Sequence, residues 1–392
     1  MTEKGIKMIL KITNAKVVLD DKIIDGGILI AEDGVITYAG EERACQADIT
    51  YDAEGGYLLA GFIDIHSHGG NGFDFMDASP EEMREAARFH LSHGTTTLVA
   101  STVTDTWDNI EAALDRFGKL GDDRVTLHGV HLEGPWFSPA QCGAQSADQM
   151  DSPSVDRLKR ILEKYPFVER ISLAPEEDKD FAVGRYGSEA GIVVALGHTD
   201  ADYDTARGAA RNGYSLVTHL YSGMKGVTRV NAYRIAGAVE ASLYDDALTA
   251  EVIADGKHLP EGLLRLIYKC KGADRICLIT DSMRGTGMPE GATVLLGRKE
   301  QNNLAIIEDG VAKLPDRTAF AGSVATTDRL LRTFATLTDA PLTDISKMMS
   351  ATPARVMGYE DRGRLEAGLR ADLVVIDKAL NVKSVFLKGE KI

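Results

Sequence analysis

Apolar positions along the chain follow two different rhythms. From Ile9 to about Tyr57 they come in short β-rich runs broken by turn residues: Lys-Val-Val-Leu, Asp-Asp, Gly-Ile-Leu-Ile, Glu-Asp-Gly, then Val-Ile-Thr-Tyr-Ala-Gly. This texture predicts a small antiparallel sheet. The stretch from Gly368 to Ile392 repeats it, with Ala-Asp-Leu-Val-Val-Ile-Asp and Val-Lys-Ser-Val-Phe-Leu-Lys-Gly-Glu. Two β-rich ends around a different middle predict one β-sandwich domain built from both, residues 1–58 with 355–392.

Between them, strand-like and helix-like segments alternate. Pro80 to His93 carries Met83, Ala86, Ala87, His90 and Leu91 at helical spacing, and Thr95 to Ser101 reads as a strand. Strands follow at Val125–Leu132, Ile171–Leu173, Ile192–Leu196, Ser215–Leu220, Leu248–Ile253 and Arg275–Thr280, with helices at Ser154–Tyr165, Asp202–Asn212, Pro260–Lys269 and Thr326–Leu337. Repetition of such units predicts a closed (β/α)8 barrel over residues 59–354, a TIM-like catalytic domain. The Gly- and Asn-rich segment Pro289–Arg317 reads as an insertion or a lid-like loop.

Chemistry-bearing residues stand where the predicted strands end. Phe62, Ile63 and Ile65 lead into His66 and His68, which at i, i+2 in an extended chain share a face and can meet one metal ion. Glu133 follows an apolar strand and precedes Gly-Pro, and His198, His219 and Asp281 each close an apolar run. In a barrel the ends of different strands converge on one face. Any one of these residues has an ordinary structural explanation; their joint placement points to metal-assisted chemistry. His128 and His131 read as ordinary structural histidines.

The motifs Gly-Phe-Ile-Asp-Ile-His-Ser-His-Gly-Gly, His-Leu-Glu-Gly-Pro-Trp, Gly-His-Thr, Thr-His-Leu-Tyr, Ala-Asp-Gly-Lys-His, Thr-Asp-Ser-Met and Ala-Thr-Pro-Ala-Arg run almost end to end. In them the chain resembles the amidohydrolase superfamily, and within it the N-acetylglucosamine-6-phosphate deacetylases. The resemblance implies a metal-dependent hydrolase barrel with a small β-sandwich. It implies Glu133, His198 and His219 as metal ligands, His66 and His68 as a pair completing a second site, Asp281 as catalytic acid/base and His258 as a substrate-binding residue. One or two divalent ions are expected, zinc or iron by ligand type. The implied reaction releases acetate from an amino-sugar phosphate. The alternative is a different N-acyl group or an unphosphorylated amino sugar. A homodimer is also implied.

Three positions depart from the family pattern, and all concern substrate. Gln145 stands where a histidine is usual, and Ser222 and Gly223 replace Asn-Ala. Asn-Ala-Tyr-Arg, ending at Arg234, replaces the Arg-Glu-Pro-Gly that supplies a phosphate-binding arginine from the partner subunit. Arg229 or Arg234 is the expected substitute. Gln145, Ser222 and Gly223 complete the expected substrate-binding set.

Charge bears on that last point. With 392 residues and a net charge of -15, the chain offers no basic face for nucleic acid or an anionic membrane, and an anionic substrate needs a local cationic pocket. No stretch reaches membrane-spanning length. Cys45, Cys142, Cys270 and Cys277 match no common zinc spacing and suggest a reducing compartment, so a cytoplasmic protein is expected.

Overall fold

The run Phe62–Ser67 (β1) is buried along its whole length, as a strand covered on both faces must be. Seven more parallel strands follow it in the computed structural model, which describes residues 8–122 and 124–392. They are Thr95–Ser101 (β2), Leu127–Glu133 (β3), Val168–Leu173 (β4), Val193–Leu196 (β5), Tyr214–Val217 (β6), Thr249–Val252 (β7) and Ile276–Leu278 (β8). Each pairs in parallel with its neighbour in chain order, so the strand order around the sheet follows the sequence.

Helices cover it in the same order: Pro80–Ser92 (α1), Trp107–Gly118 (α2), Val155–Lys164 (α3), Ala182–Glu189 (α4), Tyr203–Ala210 (α5), Ala238–Tyr244 (α6), Glu261–Lys271 (α7) and Thr327–Leu337 (α8). This is the (β/α)8 barrel expected. Local chemistry sets the helix starts. At α1, Ser79 and Glu82 form a reciprocal capping box with Pro80 at the first helical position, and the helix buries Met83, Ala86, Ala87, His90 and Leu91.

The barrel closes between its first and last strands through the end of β1 and residues just beyond β1 and β8. Ser67 bridges Ser282 in parallel, the His68 N–H donates to the Ser282 carbonyl at 2.7 Å, and the Asp281 N–H donates to the His66 carbonyl at 2.9 Å. Several strands are shorter than the apolar runs predict, β6 stopping at Val217 and β8 at Leu278. The apolar pattern continues, but the backbone turns out of the ladder: His219 and Asp281 have φ of +29° and +48°.

Both chain ends build one eight-stranded sheet, in which Leu373–Ile376 pairs antiparallel with Tyr57–Ala60 and the latter runs parallel to Ile9–Val18. Leu10, Ile12, Val17, Leu29, Leu58, Leu373 and Phe386 give it a core separate from that of the barrel. The segment read as a lid-like loop is ordered differently. Thr293–Leu296, Asn303–Glu308 and Val311–Lys313 form a three-stranded antiparallel sheet, whose alternation is short and interrupted by turns. Among the described residues no helix is long and apolar enough to cross a membrane.

Candidate active site

Barrel geometry delivers the six candidate residues to one place. His66 lies in β1, Glu133 ends β3, and His68, His198, His219 and Asp281 stand within three residues of the ends of β1, β5, β6 and β8. All six are buried. Their ligand atoms fall into two groups, Glu133 with His198 and His219, and His66 with His68 and Asp281, each within 4.8 Å of one another. Glu133 Oε1 lies 2.9 Å from His219 Nε2 and 3.5 Å from both His198 Nε2 and His66 Nε2. Asp281 Oδ1 lies 3.1 Å from His68 Nε2 and 3.6 Å from His66 Nε2.

Three of these residues are held in the left-handed backbone region: His198 at φ +44°, His219 and Asp281. Such conformations cost about 1–3 kcal/mol each and persist where surrounding structure imposes them. Asp64 is one such constraint. Fully buried beneath the site, it accepts hydrogen bonds from Thr280 Oγ1 at 2.5 Å and from the backbone N–H groups of Thr280 and His66. Gly223 is another. At φ +55°, a Cβ there would meet His198 Nδ1 at 2.7 Å, so glycine lets this loop pack against the candidate ligand histidine.

Hydrogen bonds orient the imidazoles. His198 Nδ1 donates to the Gln141 carbonyl at 2.9 Å, leaving Nε2 with its lone pair toward Glu133. The His66 ring is held at Nδ1, while the buried Nε2 has no hydrogen-bond partner among the described residues. A nitrogen lone pair withdrawn from water and facing carboxylates suits a metal cation. The donor set of four imidazoles and two carboxylates fits a divalent ion of the zinc or iron type.

Burial would raise the Glu133 carboxyl, but His66, His198, His219 and His68 hold it well below the usual carboxylate range. Burial likewise opposes ionisation of Asp281, and His66 and His68 outweigh it. Burial would lower His68, yet its hydrogen bond to Asp281 and the charges of Glu133 and Asp281 push it up to about 9. The site is therefore an anionic pair compensated by whatever cation the imidazoles share or carry.

These groups open on a cavity of about 230 Å³, also lined by Gly143, Ala144, Gln145, Ser222, Gly223, His258, Leu296 and Phe320. His258 is fixed by Asp255 at 2.8 Å through Nδ1 and packs on the Phe320 ring. Gln145 lines the cavity but is tied to the protein at both ends of its amide. Nε2 donates to Glu133 Oε2 at 2.6 Å, and Oε1 accepts from the Thr104 N–H at 2.8 Å. Arg229 and Arg234 lie elsewhere. They are cross-strand partners on an exposed hairpin, Thr228–Val230 with Tyr233–Ile235, and among the described residues no arginine or lysine lines the cavity.

His131 is a buried structural residue between the hydroxyls of Ser101 and Ser172. His128 pairs with Glu169 at 2.7 Å, at the start of β3 and so at the opposite end of that strand from Glu133. Two charged residues escaped the sequence reading, Glu251 in β7 and Arg170 in β4, both fully buried inside the barrel. The available signal was a charge inside an otherwise apolar strand.

Residues 57–392 match the model of the amidohydrolase family. The chain is 34% identical over 362 residues to N-acetylglucosamine-6-phosphate deacetylase of Lysinibacillus sphaericus, covering 91% of each. The chain is an amidohydrolase of the N-acetylglucosamine-6-phosphate deacetylase family. It is also 31% identical to N-acetylgalactosamine-6-phosphate deacetylase of Escherichia coli O157:H7, over 86% of this chain and 88% of that one. Its fold superposes with a TM-score of 0.90, at 32% identity and 99% coverage of both chains, on a variant of N-acetyl-D-glucosamine-6-phosphate deacetylase from Mycobacterium smegmatis in complex with N-acetyl-D-glucosamine-6-phosphate. The enzyme thus shares the metal-dependent hydrolase character of its family, and its six candidate residues occupy the barrel face where such enzymes work.

Proposed function

We propose that this enzyme hydrolyses the N-acetyl group of a hexosamine 6-phosphate to acetate and the free amine. The observation that carries the reading is the convergence of Glu133, His198, His219, His68 and Asp281 on one cavity, with His66 grouped beside His68 and Asp281, in a chain similar along nearly its whole length to deacetylases of such sugars. Glu133, His198 and His219 would hold one divalent ion, and His66 and His68 with Asp281 a second. Bound there, such an ion brings the pKa of water toward about 7 and polarises a carbonyl.

The chain's own groups supply the rest. Asp281, ionised and walled off from bulk water, accepts the proton of the water that adds to the acetyl carbon. It returns that proton to the nitrogen as the C–N bond breaks, because an amine leaves badly as an anion. Asp281 needs an oxygen with a free lone pair for this, and the carboxylate has two. His258 presents Nε2 to a sugar hydroxyl, since Asp255 occupies Nδ1. Ser222, Gly223 and Gln145 complete the polar lining. Arg229 or Arg234 would meet the phosphate from the hairpin of a second copy in a homodimer, which accounts for their exposure on this one.

The lack of arginine and lysine around the cavity among the described residues favours a second reading, an unphosphorylated N-acetylhexosamine. Acetate release from N-acetylglucosamine and N-acetylgalactosamine, each with and without 6-phosphate, separates the two. The proposal expects the phosphorylated sugars to react with kcat/KM at least about tenfold higher, equivalent to roughly 1.4 kcal/mol. Equal rates promote the second reading, and release from none of the four removes both.

A further inference from the structure

Beneath the ligand histidines the barrel interior holds a salt bridge that the reaction does not use. Glu251 in β7 and Arg170 in β4 are both fully buried, and Arg170 Nη1 donates to Glu251 Oε1. Arg170 Nη1 also donates to the Ile65 carbonyl at 3.0 Å, one residue before His66. The other oxygen, Glu251 Oε2, accepts from His66 Nδ1 at 3.1 Å and from the His219 backbone N–H at 3.2 Å. One carboxylate therefore touches a residue of each candidate ligand group, and a buried arginine supports it from below.

An ionised carboxylate has no hydrogen to give, so the proton in the His66 contact belongs to Nδ1. That leaves the lone pair on Nε2, the buried atom that faces Glu133 and Asp281 without a hydrogen-bond partner among the described residues. Partners of this kind fix tautomer and ring orientation in metal sites, and their loss typically costs about 10–100-fold in affinity. Arg170 keeps Glu251 charged, since an unpaired carboxylate at this depth would take up a proton.

We propose that Glu251, supported by Arg170, is a positioning residue that keeps His66 protonated at Nδ1 and locks it to the His219 strand end, so that His66 Nε2 is held ready as a ligand for the second of two divalent ions. The inference rests on the metal assignment above. A neutral amide cannot replace the carboxylate. If its oxygen faces His66, its NH2 opposes the Arg170 guanidinium; if its oxygen faces Arg170, its NH2 donates to Nδ1 and the His66 proton moves to Nε2, where it blocks ligation.

The test is titration of the metal-free protein with Co2+, read by calorimetry and by the visible absorption of bound cobalt. The parent takes up two equivalents, and His66→Asn loses the second. Glu251→Gln retains the first with its affinity within about threefold, and weakens the second at least about tenfold. Because Glu251→Gln leaves Arg170 unpaired and can impair folding, Arg170→Met/Glu251→Gln is measured beside it and shows the same selective weakening. In 15N-histidine NMR of the metal-free parent, the His66 signals, assigned by their absence in His66→Asn, report the Nδ1-protonated form. A second equivalent unchanged in both Glu251 variants but lost in His66→Asn overturns the positioning role alone, as does an Nε2-protonated His66 in the parent. A parent that binds one equivalent, or His66→Asn that still binds two, overturns the metal assignment and this inference with it.

Discussion

Replacing Asp281 by Asn separates chemistry from architecture in this enzyme. The backbone tolerates the change, because Asp281 sits at φ +48° and Asn enters the left-handed region more readily than most residues. Its two main-chain hydrogen bonds, across the seam to the His66 carbonyl and from the Ser323 N–H at 2.7 Å, survive. The side-chain oxygen 3.1 Å from His68 Nε2 is retained as an amide carbonyl. The expected loss of stability is therefore about 1 kcal/mol, an ordinary hydrogen-bond difference, and shifts Tm by only a few degrees. The amide cannot accept a proton from water. A general-base contribution of about 10²–10⁴ in kcat is removed, roughly 3–5 kcal/mol of barrier at 1.36 kcal/mol per tenfold. Acetate release from N-acetylglucosamine 6-phosphate gives kcat and KM, and elemental analysis of the same samples gives metal content. KM should stay within about threefold and Glu133-side metal should be retained. Turnover within tenfold of the parent at equal metal content refutes the proton-acceptor role. A kcat that falls only in proportion to lost metal makes Asp281 a ligand and nothing more.

Glu133→Gln should strip most bound metal, since four imidazoles face that carboxylate and an amide oxygen is a far poorer ligand; full metal content by elemental analysis contradicts the assignment. Arg229→Ala combined with Arg234→Ala should raise KM for a 6-phosphate sugar at least about tenfold with little effect on its unphosphorylated counterpart, and unchanged steady-state kinetics would clear both of a role in binding. His90 is fully buried, donates to the Gly69 carbonyl at 2.9 Å, and is pushed by burial down to about 4 from 6.5. The unfolded chain takes up a proton that the folded one refuses, so stability is complete above pH 6.5 and declines by up to about 3 kcal/mol as pH falls toward 4. His90→Gln should flatten that decline in thermal melts, and a slope equal to the parent's would exclude His90 as its source.

Sequence patterns locate the elements of this barrel well where burial is total. Thr95–Ser101 coincides with β2 because every residue in it is buried, leaving no polar face to blur its ends. The candidate ligands were legible for a related reason: a histidine or acid that ends an apolar run conflicts with the run, and six such conflicts stood at strand ends. Glu251 and Arg170 present the same conflict within their strands, but each explains the other, and 81 residues separate them. Only the closed barrel brings β4 and β7 to opposite sides of one interior. Gln145 was read from its donor chemistry alone, whereas its contact with Glu133 depends on how a loop folds back over the site. The arginines were read from their nearness in sequence to His219, and a two-strand hairpin carries them away from it.

The seam between β1 and β8 places the catalytic centre among the last contacts needed to complete the barrel. The amides of His68 and Asp281 donate across it, and those residues, with the neighbouring His66, are candidate ligand and catalytic residues. Parting this seam opens the cylinder and dismantles the site in one event. Hydrogen exchange at these amides should consequently run at the slow rate of global opening rather than at the faster rate of surface loops. Heat-induced loss of activity that precedes deprotection of these two amides would then leave the barrel closed, arising from lost metal or a displaced hairpin, and would be recoverable without refolding the chain.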